Sequence, residues 1–293
     1  VQAGPDGEFS MSRVPQGRVK IVATSPSGDD VGVLHVTASA ATTDVEVRYG
    51  TGVSTDYSLF GSNGLVVALT DVASMNGGGT STTWGPLSYT YEGYLVGDYI
   101  CCDYYPALDN NGRQLTFGPI EEGSGLFITR KVLMPEDGRF VRYLEIVENT
   151  TGIPRQVTVD VDANSQAPAS SAKWLVTPDN SGRRYVVSDD TWNGATPRYA
   201  AVGHVMAGAG TVAASPRING SFESGNSNYF QFGWQTTVPA NSRVAFLHYI
   251  VLRDADQGAA AVSQSESLVN LSDPEALAGL TAEEKALIRN FNL

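Results

Sequence analysis

Between Leu126 and Val161 the chain sets three apolar, β-branched runs against two tight-turn clusters. The runs are Leu126–Met134 (LFITRKVLM), Arg139–Glu148 (RFVRYLEIVE) and Arg155–Val161 (RQVTVDV). Glu136-Asp137-Gly138 and Asn149-Thr150-Thr151-Gly152 separate them. Alternating or continuous apolar runs of this length fit strands, and Asp, Asn and Gly at the joints supply the backbone angles of hairpin turns. The segment therefore reads as an antiparallel meander. Similar runs predict strands at Arg18–Thr24, Gly32–Thr37, Thr43–Tyr49, Gly64–Leu69, Lys173–Thr177, Arg184–Ser188, Ala200–Met206, Tyr229–Thr237 and Arg243–Leu252. Met75–Trp84 (MNGGGTSTTW) is expected to be the most glycine-rich loop.

A chain of 293 residues, 42% hydrophobic, can bury one large β core or two small ones. Charged residues make up 17%, below the usual quarter, and 31 glycines accompany many Ser, Thr, Asn and Tyr. That suits many short strands joined by turns. The formal net charge of −12, with no Lys/Arg-rich run, repels phosphate backbones and argues against a nucleic-acid partner. No apolar run approaches the roughly 20 residues of a membrane helix. The chain starts at Val1 without a signal-peptide pattern, so it is expected to be a processed product or an excised piece. Composition places it outside the cell or at the cell surface.

The expected organisation is a polar arm over 1–16, a β-sandwich body over 17–255, and docked helices over 256–293. A small Ig-like submodule over 17–75 is an open alternative for the start of the body. In the tail, Ala259, Val262, Leu268 and Leu271 recur at helical spacing. Ser272-Asp273-Pro274-Glu275 reads as a second helix start, with Ser as cap and Glu closing a capping box. Thr281-Ala282-Glu283-Glu284 repeats that logic, and Ala286, Leu287 and Phe291 are expected to face inward. The fold class expected is mainly β: a large antiparallel β-sandwich with two or three short C-terminal helices.

The phrase GLFITRKVLMPEDGRFVRYLEIVENTTG, 125–152, resembles a pattern in large bacterial β-supersandwich domains. Its features are Met134-Pro135, Asp137-Gly138, Arg142-Tyr143 and Asn149-Thr150. These domains share the galactose-mutarotase-like fold, also seen ahead of the catalytic domain in bacterial glucoamylases. The end of the chain, Val244–Leu252 followed by an Ala-rich helix and Ala276–Glu284, is similar to domains of large secreted bacterial proteins. The resemblance covers about the last two-thirds and implies a supersandwich and export. Mutarotases use a His and a Glu on the concave sheet; neither motif aligns here, so the resemblance brings no catalytic residue.

Cys101 and Cys102 are the only cysteines and are adjacent, among Tyr99, Tyr104 and Tyr105. Neighbouring Cα atoms sit about 3.8 Å apart, closer than a disulfide ordinarily spans, so a bond between them needs a distorted turn. A vicinal disulfide and two free thiols are both open, and neither can staple distant strands of one chain. His35, His204 and His248 lie inside apolar strand-like runs and read as structural strand histidines rather than catalytic ones. Asp160, Asp162 and Asn164 have the spacing of the first three ligands of a calcium loop, but Ser165 stands where glycine is needed, and Val159 and Val161 point instead to a polar strand face. Calcium is the only cofactor this pattern raises. Asp189, Asp190 and Trp192 form the most site-like loop, where carboxylates and an indole could hold a sugar; a loop pinned by a half-buried Trp is the plainer reading. Tyr104 and Tyr105 are the matching candidates in the tyrosine block.

No nucleophile motif, P-loop or dinucleotide fingerprint occurs. The reading is an exported structural or adhesive domain, with the balance against an enzyme and that question left open. It is expected to associate with copies of itself or with other surface proteins through its N-terminal segment. The rival is a carbohydrate-binding module, or a polysaccharide-acting enzyme, with polysaccharide as partner.

Overall fold

A computed structural model describes residues 4, 8–11, 17–24, 31–38, 57–60, 66–69, 75–79, 88–90, 107–109, 113–121, 125–164, 173–176, 182–189, 201–219, 229–254 and 256–293. Its strands are β1 (Gly17–Thr24), β2 (Val31–Ala38), β3 (Tyr57–Phe60), β4 (Val66–Leu69), β5 (Met75–Gly79), β6 (Ser88–Thr90), β7 (Ala107–Asp109), β8 (Gln114–Glu121) and β9 (Leu126–Leu133). They continue with β10 (Phe140–Asn149), β11 (Arg155–Asn164), β12 (Lys173–Val176), β13 (Tyr185–Asp189), β14 (Ala201–Val205), β15 (Arg217–Asn219), β16 (Tyr229–Val238) and β17 (Ser242–Arg253). Two helices follow, α1 (Gly258–Val269) and α2 (Ala282–Leu287). The protein is mainly β, with antiparallel sheets and two short C-terminal helices. No helix among the described residues is long and apolar enough to cross a membrane.

The strands form an eight-stranded sheet, ordered β12-β13-β14-β17-β10-β9-β8-β7, and a seven-stranded sheet, ordered β15-β16-β11-β6-β5-β4-β3. A separate hairpin joins β1 to β2. The expected meander splits: β9 and β10 pair in the first sheet, while β11 crosses to the second and pairs with β16. Asn149 fixes that crossing. Its side-chain amide donates to the carbonyls of Ile153 (2.8 Å), Val238 (3.2 Å) and Pro239 (3.0 Å), and its oxygen accepts from the Thr151 amide (3.0 Å).

Period-two alternation gives β10 and β17 two buried faces. On one face Val141, Tyr143 and Val147 of β10 and Val244, Phe246 and Ile250 of β17 meet Val157, Val159, Val161, Phe232 and Trp234 of the other sheet. On the opposite face Phe140, Leu144, Leu247 and Tyr249 pack with Ala261, Leu268, Leu280, Ile288 and Phe291 of the C-terminal segment. The near-continuous apolar run of β17 is the signature of a strand covered on both sides.

Three expectations need correction. Met75–Gly79 is a strand, not the start of a loop: Gly77, Gly78 and Gly79 pair with Ala68, Val67 and Val66. Main-chain hydrogen bonds supplied by β4 outweigh the weak strand propensity of glycine. Ser272–Leu280 makes turns rather than a helix. There Asp273, not Ser272, accepts the amide bond, from Glu275 (2.9 Å), and Ser272 Oγ donates back to the Ser267 carbonyl (3.2 Å). In α1 the buried residues are Gly258, Ala261, Gln264, Ser265, Leu268 and Val269, while Ala259 is exposed. The two polar ones are satisfied by other elements or locally: Gln264 accepts from Arg253 (2.9 Å) and donates to Asp273 (2.7 Å), and Ser265 donates to the Ala261 carbonyl (2.8 Å). Ala286 is also exposed. The Thr281 capping box does form: the Glu284 amide donates to Thr281 Oγ1 (3.1 Å) and the Thr281 amide to Glu284 Oε2 (2.9 Å). The strand expected at Thr43–Tyr49 lies outside the described residues.

Candidate functional site

Ionisable groups gather between the sheets, at core-facing positions of neighbouring strands. Arg130 on β9 and Glu145 on β10 are register partners, and Arg130 Nε donates to Glu145 Oε1 at 2.7 Å. Their side chains are 5% and 1% exposed. One register step along, Tyr143 on β10 lies opposite His248 on β17, with the rings stacked at 5.0 Å and 9°. From the facing sheet Phe232 stands edge-on to His248 (5.8 Å) and Trp234 leans against it (5.7 Å). His204 on β14 completes the group, 6.4 Å from Phe232. Trp234 Nε1 donates to the Met206 carbonyl (3.1 Å), which settles the polar end of the largest buried ring.

Burial sets the protonation states. It pushes His204 down to about 3, because an imidazolium there would lose its hydration. His248 is held well below the ordinary histidine value by burial first, then by the Arg130 charge and by His204. Burial raises the Tyr143 phenol, an effect that the Arg130 charge opposes. At neutral pH the group is thus a charged pair beside two neutral imidazoles and a neutral phenol. Chemically it offers a carboxylate, a guanidinium and proton acceptors. In this packing, with His248 0% exposed, a solute reaches them only by displacing rings.

Of the residues proposed from sequence, Asp189 is described, and it is buried at the end of β13. Its carboxylate lies against Gly258, the first residue of α1; a Cβ there would collide with Asp189 Oδ2 and with the Leu175 side chain. Gln257, at the N-cap, makes no side-chain cap bond. The carboxylate therefore sits where the positive end of the helix dipole favours it. Asp190, Trp192, Tyr104, Tyr105, Cys101 and Cys102 lie outside the described residues. Asp160, Asp162 and Asn164 all belong to β11, where Asp160 stands between the buried Val159 and Val161. Asp160 accepts from Arg217 on β15 at 3.1 Å. Among the described residues no group of three or more His, Cys, Asp or Glu is placed to hold a metal ion.

Sequence reading missed Arg130 and Glu145. A signal was there: both interrupt the apolar alternation of a core face, Arg130 between Ile128 and Val132, Glu145 between Tyr143 and Val147. Counting back from the Asp137-Gly138 turn brings the opposite charges together.

No family model and no curated protein matches the chain. Among solved structures it is similar to a galactose mutarotase related enzyme from Lactobacillus acidophilus, with 9% identity, a TM-score of 0.43, and coverage of 69% of this chain and 98% of that one. It is also similar to the Slr1438 protein from Synechocystis sp. PCC 6803 (7%, TM-score 0.45, 68% and 96%) and to a galactose mutarotase-like protein from Lactobacillus casei (9%, TM-score 0.41, 68% and 100%). Two of these three neighbours bear galactose-mutarotase names, and no residue role is carried from any of them.

Proposed function

We propose that the chain is a non-catalytic domain of an exported bacterial surface or extracellular-matrix protein, and that it associates with copies of itself through its N-terminal hairpin. The carrying observation is the pairing of β1 and β2. They match residue for residue from Gly17↔Ala38 to Thr24↔Val31, and among the described strands neither is hydrogen-bonded into either sheet. An eight-residue edge of this kind offers main-chain donors and acceptors to a strand of another copy. The packed state of His204, His248, Arg130 and Glu145 supports a role that does not need them to meet a substrate. Proline removes an edge N–H, so Ile21→Pro and Val22→Pro, which sit on alternate sides of the strand, test the edge directly. Light scattering and electron microscopy of the full chain should show concentration-dependent assemblies that one of the two variants abolishes. Monomers throughout, in wild type and variants alike, overturn this reading.

The second reading is carbohydrate binding. Its support is the grouping of flat rings, Tyr143, His248 and Trp234, beside a hydrogen-bonding ion pair, together with the sequence candidates Asp189, Asp190, Trp192, Tyr104 and Tyr105. Calorimetric titration with oligosaccharides decides it: saturable heat that Trp192→Ala removes favours it, and no heat with any class of glycan sinks it.

A further inference from the structure

The eight-stranded sheet has a gap beside its central strand. β17 pairs with β10 along Ser242–Val251, but β14 pairs with it only along Tyr249–Arg253. On the β14 side, the first half of β17 is met instead by the last residues of the chain. Ala245 and Ile288 form a parallel bridge, and the Arg289 amide donates to the Ala245 carbonyl (3.0 Å). At the next position a side chain replaces backbone. Asn290 Oδ1 accepts from the Leu247 amide (2.9 Å), and its Nδ2 donates to the carbonyls of Leu247 (2.6 Å) and Met206 (2.8 Å). On the far side, Gly208 and Ala214 donate to the carbonyls of Asn290 and Arg289, each at 2.9 Å. The tail is thus hydrogen-bonded on both sides, as an inner strand is. Ile288, Asn290 and Phe291 are buried, and the Phe291 ring stands edge-on to Tyr249 at 5.8 Å.

The preceding segment is held differently. α2 has no fully buried residue; Leu287 packs half-buried against the core, the Lys131–Glu284 pair is largely enclosed, and the Arg243–Glu283 pair lies at the surface, where such pairs hold weakly. Upstream, Arg142 donates to the carbonyls of Ala276 and Ala278, and the Tyr249 hydroxyl to that of Ala276 (3.1 Å). Between the firm turn and the lightly held helix stands Gly279 at φ +70°, a conformation that other residues rarely adopt. A deeply gripped end, a lightly held middle and a glycine pivot are the parts of an exchangeable element.

We propose that residues 281–293 exchange between copies: the tail of one chain leaves its own gap and completes β17 of a second. The contacts of the closed form are rebuilt in the exchanged pair, which is why such exchange is a low-cost route to association. The gap selects this chain's own tail. Asn290 satisfies an amide and two carbonyls at once, and Phe291 lies over Gly208, where a Cβ would be 2.6 Å from the ring. With Ile288–Phe291 seated in the second copy's gap, residues 281–287 form the bridge; unwound and extended they span about 25 Å, enough for copies that lie side by side. The exchange is independent of the N-terminal hairpin, and either can fail without the other.

The test uses the full-length chain and a fluorescent peptide of residues 281–293, incubated below the melting temperature and read by anisotropy. The chain should capture the peptide, and the peptide carrying Asn290→Ala should bind at least tenfold more weakly. A full-length Asn290→Ala chain, whose own tail competes less, should capture the wild-type peptide about tenfold more tightly than wild type does. If that variant does not fold, the wild-type chain decides alone. Dimers formed at high concentration should dissociate in excess peptide. No capture by folded chain after prolonged incubation, or dimers indifferent to the peptide, overturns the proposal.

Discussion

The two faces of the eight-stranded sheet both bury polar side chains, but they use them differently. On the face toward the second sheet, Arg130 and Glu145 satisfy each other across adjacent strands, 15 residues apart in sequence. On the face under the C-terminal segment, Arg142, Tyr249 and Asn290 bind main-chain groups far along the chain, Arg142 reaching carbonyls 134 and 136 residues away. The inner pair joins strands that the backbone already joins. The outer groups hold a segment that no complete strand pairing holds. An inner charge is therefore replaceable if its partner goes with it, whereas an outer one is not replaceable by an apolar group at all.

The largest effect expected is on the inner face. Glu145→Ala leaves Arg130 charged and buried and should lower stability by about 3–5 kcal/mol in denaturant melts. The double change Arg130→Met with Glu145→Leu should restore most of that loss; if it is no better than the single variant, the inner pair is not replaceable and the contrast fails.

Acid should act on the same face. The unfolded chain takes up protons on His204 and His248 near the ordinary value of 6.5, while the folded chain resists, His204 down to about 3. The unfolded state then binds more protons, so stability falls as pH drops below 6.5 and keeps falling toward the folded value. Between pH 7.5 and 5.5 His204 should account for about 1.4 kcal/mol, and His248 adds in the same direction. His248→Phe should flatten the slope, and an unchanged slope in that variant would remove the histidines as its cause.

Asn290→Ala, on the outer face, strands the Leu247 amide, leaves the Met206 carbonyl with the Trp234 indole as its donor, and should cost about 2 kcal/mol. Hydrogen exchange should report it first at Ala245–Leu247; uniform loss of protection across both sheets would deny the tail its local role. The smallest change is Thr281→Ala, which opens the capping box of α2 and should cost about 1 kcal/mol. An effect much larger than this would mean that α2 is held more firmly than its exposed surface implies.

Legibility in the sequence followed the same division. β9, β10, β11 and β17 were readable because alternation and turn residues are local properties, and the Thr281 capping box because its donors and acceptors lie three residues apart. Met75–Gly79 was not, since its glycines carry no pattern and its pairing comes from β4. The inward face of α1 was legible in part: Leu268, Val262 and Leu271 pack on the core as their spacing predicts, but Ala259 is exposed, and Gln264 and Ser265 are buried by virtue of partners on other elements or in their own turn. Asp189, read as part of a site-like loop, ends β13 and is packed against the start of α1. The polar contacts of the outer groups Arg142 and Asn290 carried no local signal, because their partners, backbone groups and for Arg142 also the Gln114 side chain, are brought near only by the fold.

The position of β17 has a consequence for how the chain is made. It lies between β14 and β10 in space, yet it ends at Arg253, so more than four-fifths of the 293 residues precede its completion. During synthesis, at about 5–20 residues per second, the earlier strands wait with two open inner edges and no central strand to close them. The sheet cannot close until β17 has been made, and a nascent chain stalled before Ser242 should need a chaperone to escape aggregation.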